Sequence, residues 1–310
     1  MPASKHRDNG IDISLIEGPD IENTLNRTAT LNIDMLLLGE TGTGKDTLAQ
    51  RIHRLSGRRG SFVAVNCAAI PETLAESQLF GVNAGAYTGA VQSRAGLIEA
   101  AHLGTLYLDE IDSMPLPLQA KLLRVLESRN VERLGSTRSI SVDMRVIASA
   151  QQSLHDMVEQ GTFRRDLYYR LNVVSICLPA LRHRRELIIP LFLEMIAQEA
   201  QLFKRSKPSP PGKLLLEHLL QHPWKGNIRE LRSTAKRFVL GLPTFSAPVV
   251  PHHEADQSLK SRLHQMERSL IEESLRQHEH RIDTAAIELG VAKRTLYHRI
   301  KQLGISLNGE

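Results

Sequence analysis

The chain has 310 residues, 41% of them hydrophobic and 24% charged, with 14 prolines; this leaves room for about two folded units and excludes a fibrous or largely disordered chain. Two cysteines, Cys67 and Cys177, are too few for a disulfide framework or a four-cysteine zinc site, and both are expected in the core. The net charge of +5 permits nucleic-acid binding, the longest apolar runs (such as residues 187–193) are far short of the ~20 residues of a membrane span, and the first residues hold no apolar signal region, so a cytoplasmic protein with no membrane partner is expected.

Taken in chain order, apolar runs at residues 34–38, 62–65, 105–108 and 145–148 read as buried strands separated by helical patterns. That alternation predicts a parallel sheet covered on both faces, because parallel strands need crossover connections. From about residue 185 to 240 the pattern is helical throughout. Residues 241–258 hold three prolines and the pair His252 and His253, lack periodicity, and read as a linker.

Between the first strand and a helical run at 48–55 lie Gly39, Glu40, Thr41, Gly42, Thr43, Gly44, Lys45, Asp46 and Thr47. Glycines let successive amides turn toward an anion, the helix N-terminus adds its dipole, and Lys45 reaches terminal phosphates, so a triphosphate such as ATP fits. Asp46 stands where a phosphate loop normally has Ser or Thr to help hold magnesium; Thr47 is next to it. The strand at 105–108 delivers Asp109 and Glu110 to the sheet edge at which open parallel sheets bind ligands. There Asp109 would support Mg2+ through water, and Glu110 would polarise the attacking water.

Glu76, Ser77, Gln78, Leu79, Phe80 and Gly81, followed by Gly85, Ala86, Tyr87, Thr88, Gly89 and Ala90, narrow the reading. This segment resembles the bacterial enhancer-binding proteins, AAA+ ATPases that remodel sigma-54 RNA polymerase. Their loop reads Gly-Ala-Phe-Thr-Gly-Ala and touches sigma-54; here Tyr87 replaces Phe. Small residues around one aromatic also suit a mobile loop presenting one apolar contact. The resemblance implies an α/β AAA+ P-loop domain over 14–180, after a 1–13 extension, and a helical lid over 181–240. It further implies Asn66 as the restraint on catalytic Glu110, Arg164 and Arg170 as arginine fingers acting on a neighbouring subunit's phosphate, and Arg229 as a lid residue reading bound phosphates. Where the family has Ala-Thr-Asn after the fourth strand, this chain has Ser149, Ala150 and Gln151, a departure that bears on coupling of the γ-phosphate to the sheet; Gln78 also replaces a usual glutamate.

Leu259, Leu263, Met266, Leu270, Ile271 and Leu275 form a helical stripe that suits either pairing of two subunits or local packing. Residues 284–301 read as helix, tight turn at Gly290, and helix, with the basic excess on the second helix. This resembles the Fis-type helix-turn-helix, which makes 259–310 an all-α domain for double-stranded DNA, here an upstream activating site. Lys293, Arg294, Tyr297, His298 and Arg299 are its candidate contacts. Only 38 residues precede Gly39, fewer than a receiver domain needs. That arrangement, with Tyr87 and the Ser-Ala-Gln departure, resembles the HrpR/HrpS regulators of type III secretion. The likeness implies control by a partner protein, inhibitory or activating, and a homo- or hetero-oligomeric ring, a hexamer, with a related subunit. Two functions stay open: a sigma-54-dependent activator that hydrolyses ATP to remodel the promoter complex, or a DNA-binding regulator using ATP only as an assembly switch.

Overall fold

Met35, Leu37, Tyr107, Ile147 and Ile176 pack on one side of a sheet, while the alternate residues Leu36, Leu106, Leu108, Val146 and Ala148 pack on the other. That period of two, apolar on both faces, is what commits these runs to a central parallel sheet. The computed structural model describes residues 19–87, 92–206 and 209–245, and toward the C-terminus 264, 267–268, 270–275, 278 and 281–305. The readings for residues 1–13, Thr88, Gly89 and Ala90, most of the linker, and Leu259, Leu263 and Met266 of the stripe lie outside the described residues. The chain divides into two compact units between residues 245 and 246.

In the first unit, α1 (Pro19–Thr28) leads into β1 (Met35–Leu38), α2 (Lys45–Leu55), β2 (Phe62–Asn66) and α3 (Glu72–Phe80). An antiparallel ribbon, β3 (Gly81–Val82) and β4 (Arg94–Ala95), then interrupts the alternation before α4 (Leu97–Ala100) and β5 (Thr105–Asp109). Next come α5 (Leu116–Ser128), a second ribbon of β6 (Asn130–Glu132) and β7 (Ser139–Ser141), then β8 (Arg145–Ala150), α6 (Leu154–Glu159), α7 (Arg165–Leu171) and β9 (Val174–Cys177). The main sheet is parallel, in the order β2-β5-β8-β1-β9. The four expected strands are present, and β9 is an addition at the edge. It puts Cys177 on the surface rather than in the core, while Cys67 is half-buried and its thiol is pushed up to about 12 by burial.

The register fixes the functional edge: Asn66 of β2 lies opposite Asp109 of β5, and Leu38 of β1 opposite Ala150 of β8. The lid consists of α8 (Ile188–Leu202), α9 (Lys213–Gln221) and α10 (Asn227–Val239). Its core gathers Phe192, Met195, Leu219, Leu231 and Ala235 around a fully buried Trp224, whose indole donates to Leu219 O at 2.8 Å. The lid meets the sheet unit at the phosphate loop, where Ile228 N donates to Gly42 O at 2.9 Å.

In the second unit, helices Ile282–Glu288 and Lys293–Gln302 join through Gly290, whose φ of 66° is the left-handed conformation that favours glycine. Ile271 and Leu275 pack locally against Ala285, Ala286, Leu296 and Ile300, while Leu270 is exposed. Among the described residues no helix is long and apolar enough to cross a membrane.

Candidate functional site

The phosphate loop connects β1 to α2. Gly42 (φ 78°) and Gly44 (φ 102°) supply left-handed turns, and a Cβ on Gly42 would sit 2.4 Å from the carbonyl oxygen of Gly226 in the lid. The first-turn amides of α2, on Lys45, Asp46 and Thr47, have no intrahelical acceptor and lie at the positive end of the helix dipole, a ready anion site. Lys45 is buried, and its ammonium donates to Gly39 O (2.7 Å) and Glu40 O (3.1 Å). Burial pushes its pKa down, against the pull of Asp109, Asp46, Asp112 and Glu110. Thr43 is also buried and donates to Glu40 O at 2.8 Å. The Glu40 side chain turns away from the cradle: Arg182 grips both its oxygens (2.5 and 2.7 Å) and Asn227 donates to it at 3.2 Å, which holds the carboxyl down to about 2. Asn227 also donates to Thr41 O (3.0 Å) and accepts from Leu181 N (2.8 Å), stitching lid to loop. Arg182 does not stand out in the sequence, and Asn227 lies in the Trp224–Leu231 segment of which only Arg229 carries an expected role; the fold brings both to Glu40.

At the end of β5, Ser149 Oγ donates to Asp109 Oδ1 at 2.5 Å. The buried Tyr107 hydroxyl donates to Asp46 Oδ1 at 2.8 Å and lies 3.2 Å from Asp109 Oδ1. Asn66, expected at Glu110, instead donates to Asp109 Oδ2 at 3.4 Å, while its own carbonyl caps the turn at Ala68 N and Ala69 N. The reason is register plus backbone: Asn66 pairs with Asp109, and Glu110, at φ 54°, turns off the strand. Gln151 takes the Glu110 carboxylate instead, donating at 2.5 Å, and accepts from Thr41 at 2.6 Å. The departure at residues 149–151 thus supplies a link between phosphate loop and glutamate.

Neither candidate arginine finger bonds its own chain's phosphate loop. Arg164 caps α7, exposed, and pairs with Asp166 at 2.6 Å; Arg170 pairs with buried Asp34, just before β1, at 2.6 Å. Arg229 is exposed on α10, and its Cβ would be 3.1 Å from a Cβ on Gly42, directly over the phosphate loop.

Gly85, Ala86 and Tyr87 belong to the loop carried by the β3–β4 ribbon. Gly85 has φ 83°, Tyr87 is 48% exposed, and Gly135 beyond β6 allows the close approach of Ala86, since a Cβ there would lie 2.6 Å from Ala86 Cβ. On the Lys293–Gln302 helix, Arg294, Tyr297 and His298 are exposed at helical spacing, and Lys301, absent from the sequence candidates, continues their face. Lys293 and Arg299 are engaged within the unit, by Asp283 (2.5 Å) and Glu267 (3.1 Å).

The phosphate loop, the unpaired first-turn amides and Lys45 fit a polyphosphate. The surrounding donor set is all carboxylate oxygen, the hard-ligand chemistry of magnesium, and Asp112 Oδ1 is buried without a protein partner among the described residues.

These features define a nucleotide-binding P-loop domain of the AAA+ class with a DNA-binding helix-turn-helix. Residues 18–177 match the Sigma-54 interaction domain family, 182–251 the AAA+ ATPase lid domain, and 262–303 the Fis family of bacterial regulatory proteins. The chain belongs to the sigma-54-interacting transcriptional activators. It is 60% identical to the "Pathogenicity locus probable regulatory protein WtsA" of Pantoea stewartii over 90% of this chain and 85% of that one. It is 56% identical to the regulator HrpS of Pseudomonas savastanoi pv. phaseolicola over 97% of this chain and 100% of that one. The crystal structure of NtrX from Brucella abortus in complex with ADP superposes with a TM-score of 0.67 at 32% identity, covering 92% of this chain and 67% of NtrX.

Proposed function

We propose that the chain hydrolyses ATP and uses the energy to move the Tyr87 loop against sigma-54 RNA polymerase, opening the promoter complex. The observation that carries this reading is the common placement of the phosphate loop, the Asp109–Glu110 pair and the Gly85 ribbon in one compact unit. Gly39 to Thr47 would cradle the phosphates, with Lys45 on the terminal ones and Arg229 above them. Magnesium, when bound with the nucleotide, would neutralise phosphate charge, and Asp109 would hold it through water. Glu110, oriented by Gln151, would polarise the attacking water. Asn66 would restrain the carboxylate pair through Asp109. Arg164, and Arg170 once freed from Asp34, would reach a neighbouring subunit's phosphate, a contribution worth ~10³ to 10⁵ in rate for such fingers.

This requires a ring, a hexamer of this chain alone or with a related subunit, open to an inhibitory or activating regulatory protein. Arg294, Tyr297 and His298, with Lys293 and Arg299 released from their pairs, would hold the ring on an upstream site, phosphate contacts giving affinity and base contacts specificity. The relatives named above are called pathogenicity-locus regulators, which supports the reading that this chain acts in the cytoplasm of a plant-associated bacterium on type III secretion genes.

The test is ATPase rate per chain against protein concentration, with Glu110→Gln as the blank. A rate that climbs steeply with concentration and falls ~10² to 10⁴-fold in the variant is expected, since a general base is worth that much. Full activity in Glu110→Gln would overturn the reading. A wild-type rate at the blank level, even with a related subunit added, would favour the assembly switch.

A further inference from the structure

Two buried hydroxyls at the carboxylate end of the sheet take no part in the roles assigned above. Tyr107 is 2% exposed and Ser149 is fully buried, yet both hydroxyls converge on one oxygen of one side chain. Ser149 donates to Asp109 Oδ1 at 2.5 Å, and Tyr107 lies 3.2 Å from both that oxygen and Ser149 Oγ. The phenol's shortest contact, at 2.8 Å, is to Asp46 Oδ1. Glu110 N donates to Ser149 Oγ at 3.3 Å, so the serine also touches the backbone of the second carboxylate.

Counting protons fixes what this arrangement does. Each hydroxyl has one to give. Ser149 gives its proton to Asp109, and Tyr107 places its own between Asp46 and Asp109, two carboxylates that would otherwise repel across the same point. Asp109 Oδ1 thereby holds the Ser149 proton, with the Tyr107 hydroxyl shared between it and Asp46. Among the described residues the other oxygen of Asp109, Oδ2, has only the long 3.4 Å contact from Asn66, which leaves it open to a cation or its water. The same phenol draws Asp46, which follows Lys45 at the start of α2, toward Asp109.

We propose that Tyr107 and Ser149 are positioning residues for the metal–nucleotide complex: Ser149 engages Asp109 Oδ1 and leaves Oδ2 for the hydrated cation, while Tyr107 tethers Asp46, where a phosphate loop ordinarily carries a hydroxyl, beside it. The chemistry they serve is a magnesium-bound nucleoside polyphosphate. The Asp46 position and the Tyr107 hydroxyl act as one unit, because an aspartate there is compatible with Asp109 only while a proton lies between them. The inference rests on the assignment of Asp109 to the metal, and not on whether the chain hydrolyses ATP.

The experiment reads binding rather than turnover. Affinity for a fluorescent ADP analogue is measured with saturating Mg2+ and with EDTA, on the full-length wild type, Tyr107→Phe, Ser149→Ala, and the double variant Tyr107→Phe with Asp46→Asn. Tyr107→Phe removes one oxygen and keeps the buried ring, and thermal melts identify a variant that has lost its fold. Loss of hydrogen bonds to a charged group predicts about 10-fold weaker binding in Mg2+ for each hydroxyl variant, no change beyond about 2-fold in EDTA, and recovery to within about 3-fold when Asp46→Asn removes the repelling charge. Equal weakening in Mg2+ and EDTA, or no recovery in the double variant, would reduce both residues to packing and overturn the proposal. Unchanged affinity in Tyr107→Phe overturns it as well; if Glu110→Gln still abolishes hydrolysis, the ATPase reading survives that result. A wild type whose affinity is indifferent to Mg2+ would remove Asp109's metal role and the proposal with it.

Discussion

The two edges of the central sheet are both highly charged, and they are built in opposite ways. At the edge where β1 begins, Asp34 has a side chain 1% exposed and satisfied on both oxygens: Val146 N donates to one at 3.0 Å, and Arg129 and Arg170 pair with the other at 3.2 and 2.6 Å. Beside it, fully buried Arg145 donates to the carbonyls of Ala29, Ile33 and Thr28 at 2.5, 3.0 and 3.2 Å, and burial pushes its guanidinium down to about 10. At the opposite edge, Asp46, Asp109, Glu110 and Asp112 all act on the single ammonium of Lys45, and Asp112 Oδ1 has no protein partner among the described residues. The first cluster is closed, its one carboxylate and three guanidiniums each engaged by hydrogen-bond partners inside the chain, with positive charge in excess. The second is left with negative charge in excess around an anion cradle, a combination that accepts a polyphosphate best when a cation comes with it. Within one chain, the closed edge holds its charges in place and the open one is free to take a ligand.

That division is broken most directly by exchanging the expected phenotypes. Lys45→Ala should weaken nucleotide binding by about 10²-fold or more, because a buried charge facing phosphates is lost, while the melting temperature moves by less than roughly 3 °C. Asp34→Ala should do the reverse. It strands two partly exposed arginines and an amide, costing about 2 to 3 kcal/mol, and so lowers the melting temperature by roughly 5 to 10 °C with nucleotide affinity kept within about threefold. Calorimetric melts beside nucleotide titrations read both variants. A large thermal loss in Lys45→Ala, or a large affinity loss in Asp34→Ala, would show that the two edges are not separable in this way.

The open edge was the more legible in the sequence. Gly39 to Lys45 signal their role by local spacing, and Asp109 and Glu110 by their place after an apolar run, so a linear reading suffices. The closed edge leaves no such trace: Asp34, Arg129 and Arg170 are scattered across the chain and meet only because α5 and α7 pack on the same side of β1's start. The same distance in sequence hides Arg182 and Asn227 from Glu40. It also explains Asn66, where a motif names the residue but only the β2–β5 register decides which carboxylate it meets. β9 leaves little trace in the sequence because an edge strand reading Val-Ser-Ile-Cys buries one residue well, Ile176, and lacks the continuous apolar signal of β1 or β8. In the second unit, composition singles out the Lys293–Gln302 helix, yet separating exposed Arg294, Tyr297 and His298 from internally paired Lys293 and Arg299 needs the fold.

One contact of the open edge is built in the manner of the closed one, and it sharpens the comparison with the smallest expected effect. Glu40 belongs to the phosphate loop, but its carboxylate is paired with Arg182 and bonded by Asn227, and it sits at about 2 instead of the ordinary 4.5. A carboxyl depressed on folding contributes stability that is fully present above pH 4.5 and is lost as pH falls toward 2, since in that window the unfolded chain's carboxyl takes up a proton that the folded pair excludes. Arg182 stays charged throughout that range, so the pH dependence belongs to Glu40 alone. The pair is partly exposed, with side-chain exposures of 43% for Glu40 and 37% for Arg182, so solvent screening limits it to a shift of roughly 1 to 2 °C in melting temperature. Glu40→Gln should therefore melt slightly below wild type at pH 6 to 7, and the gap should close between pH 4.5 and 2, as followed by thermal melts across that range. A constant offset at every pH would mean that Glu40 holds the lid through shape and neutral hydrogen bonds, leaving the open edge without any closed ion pair of its own.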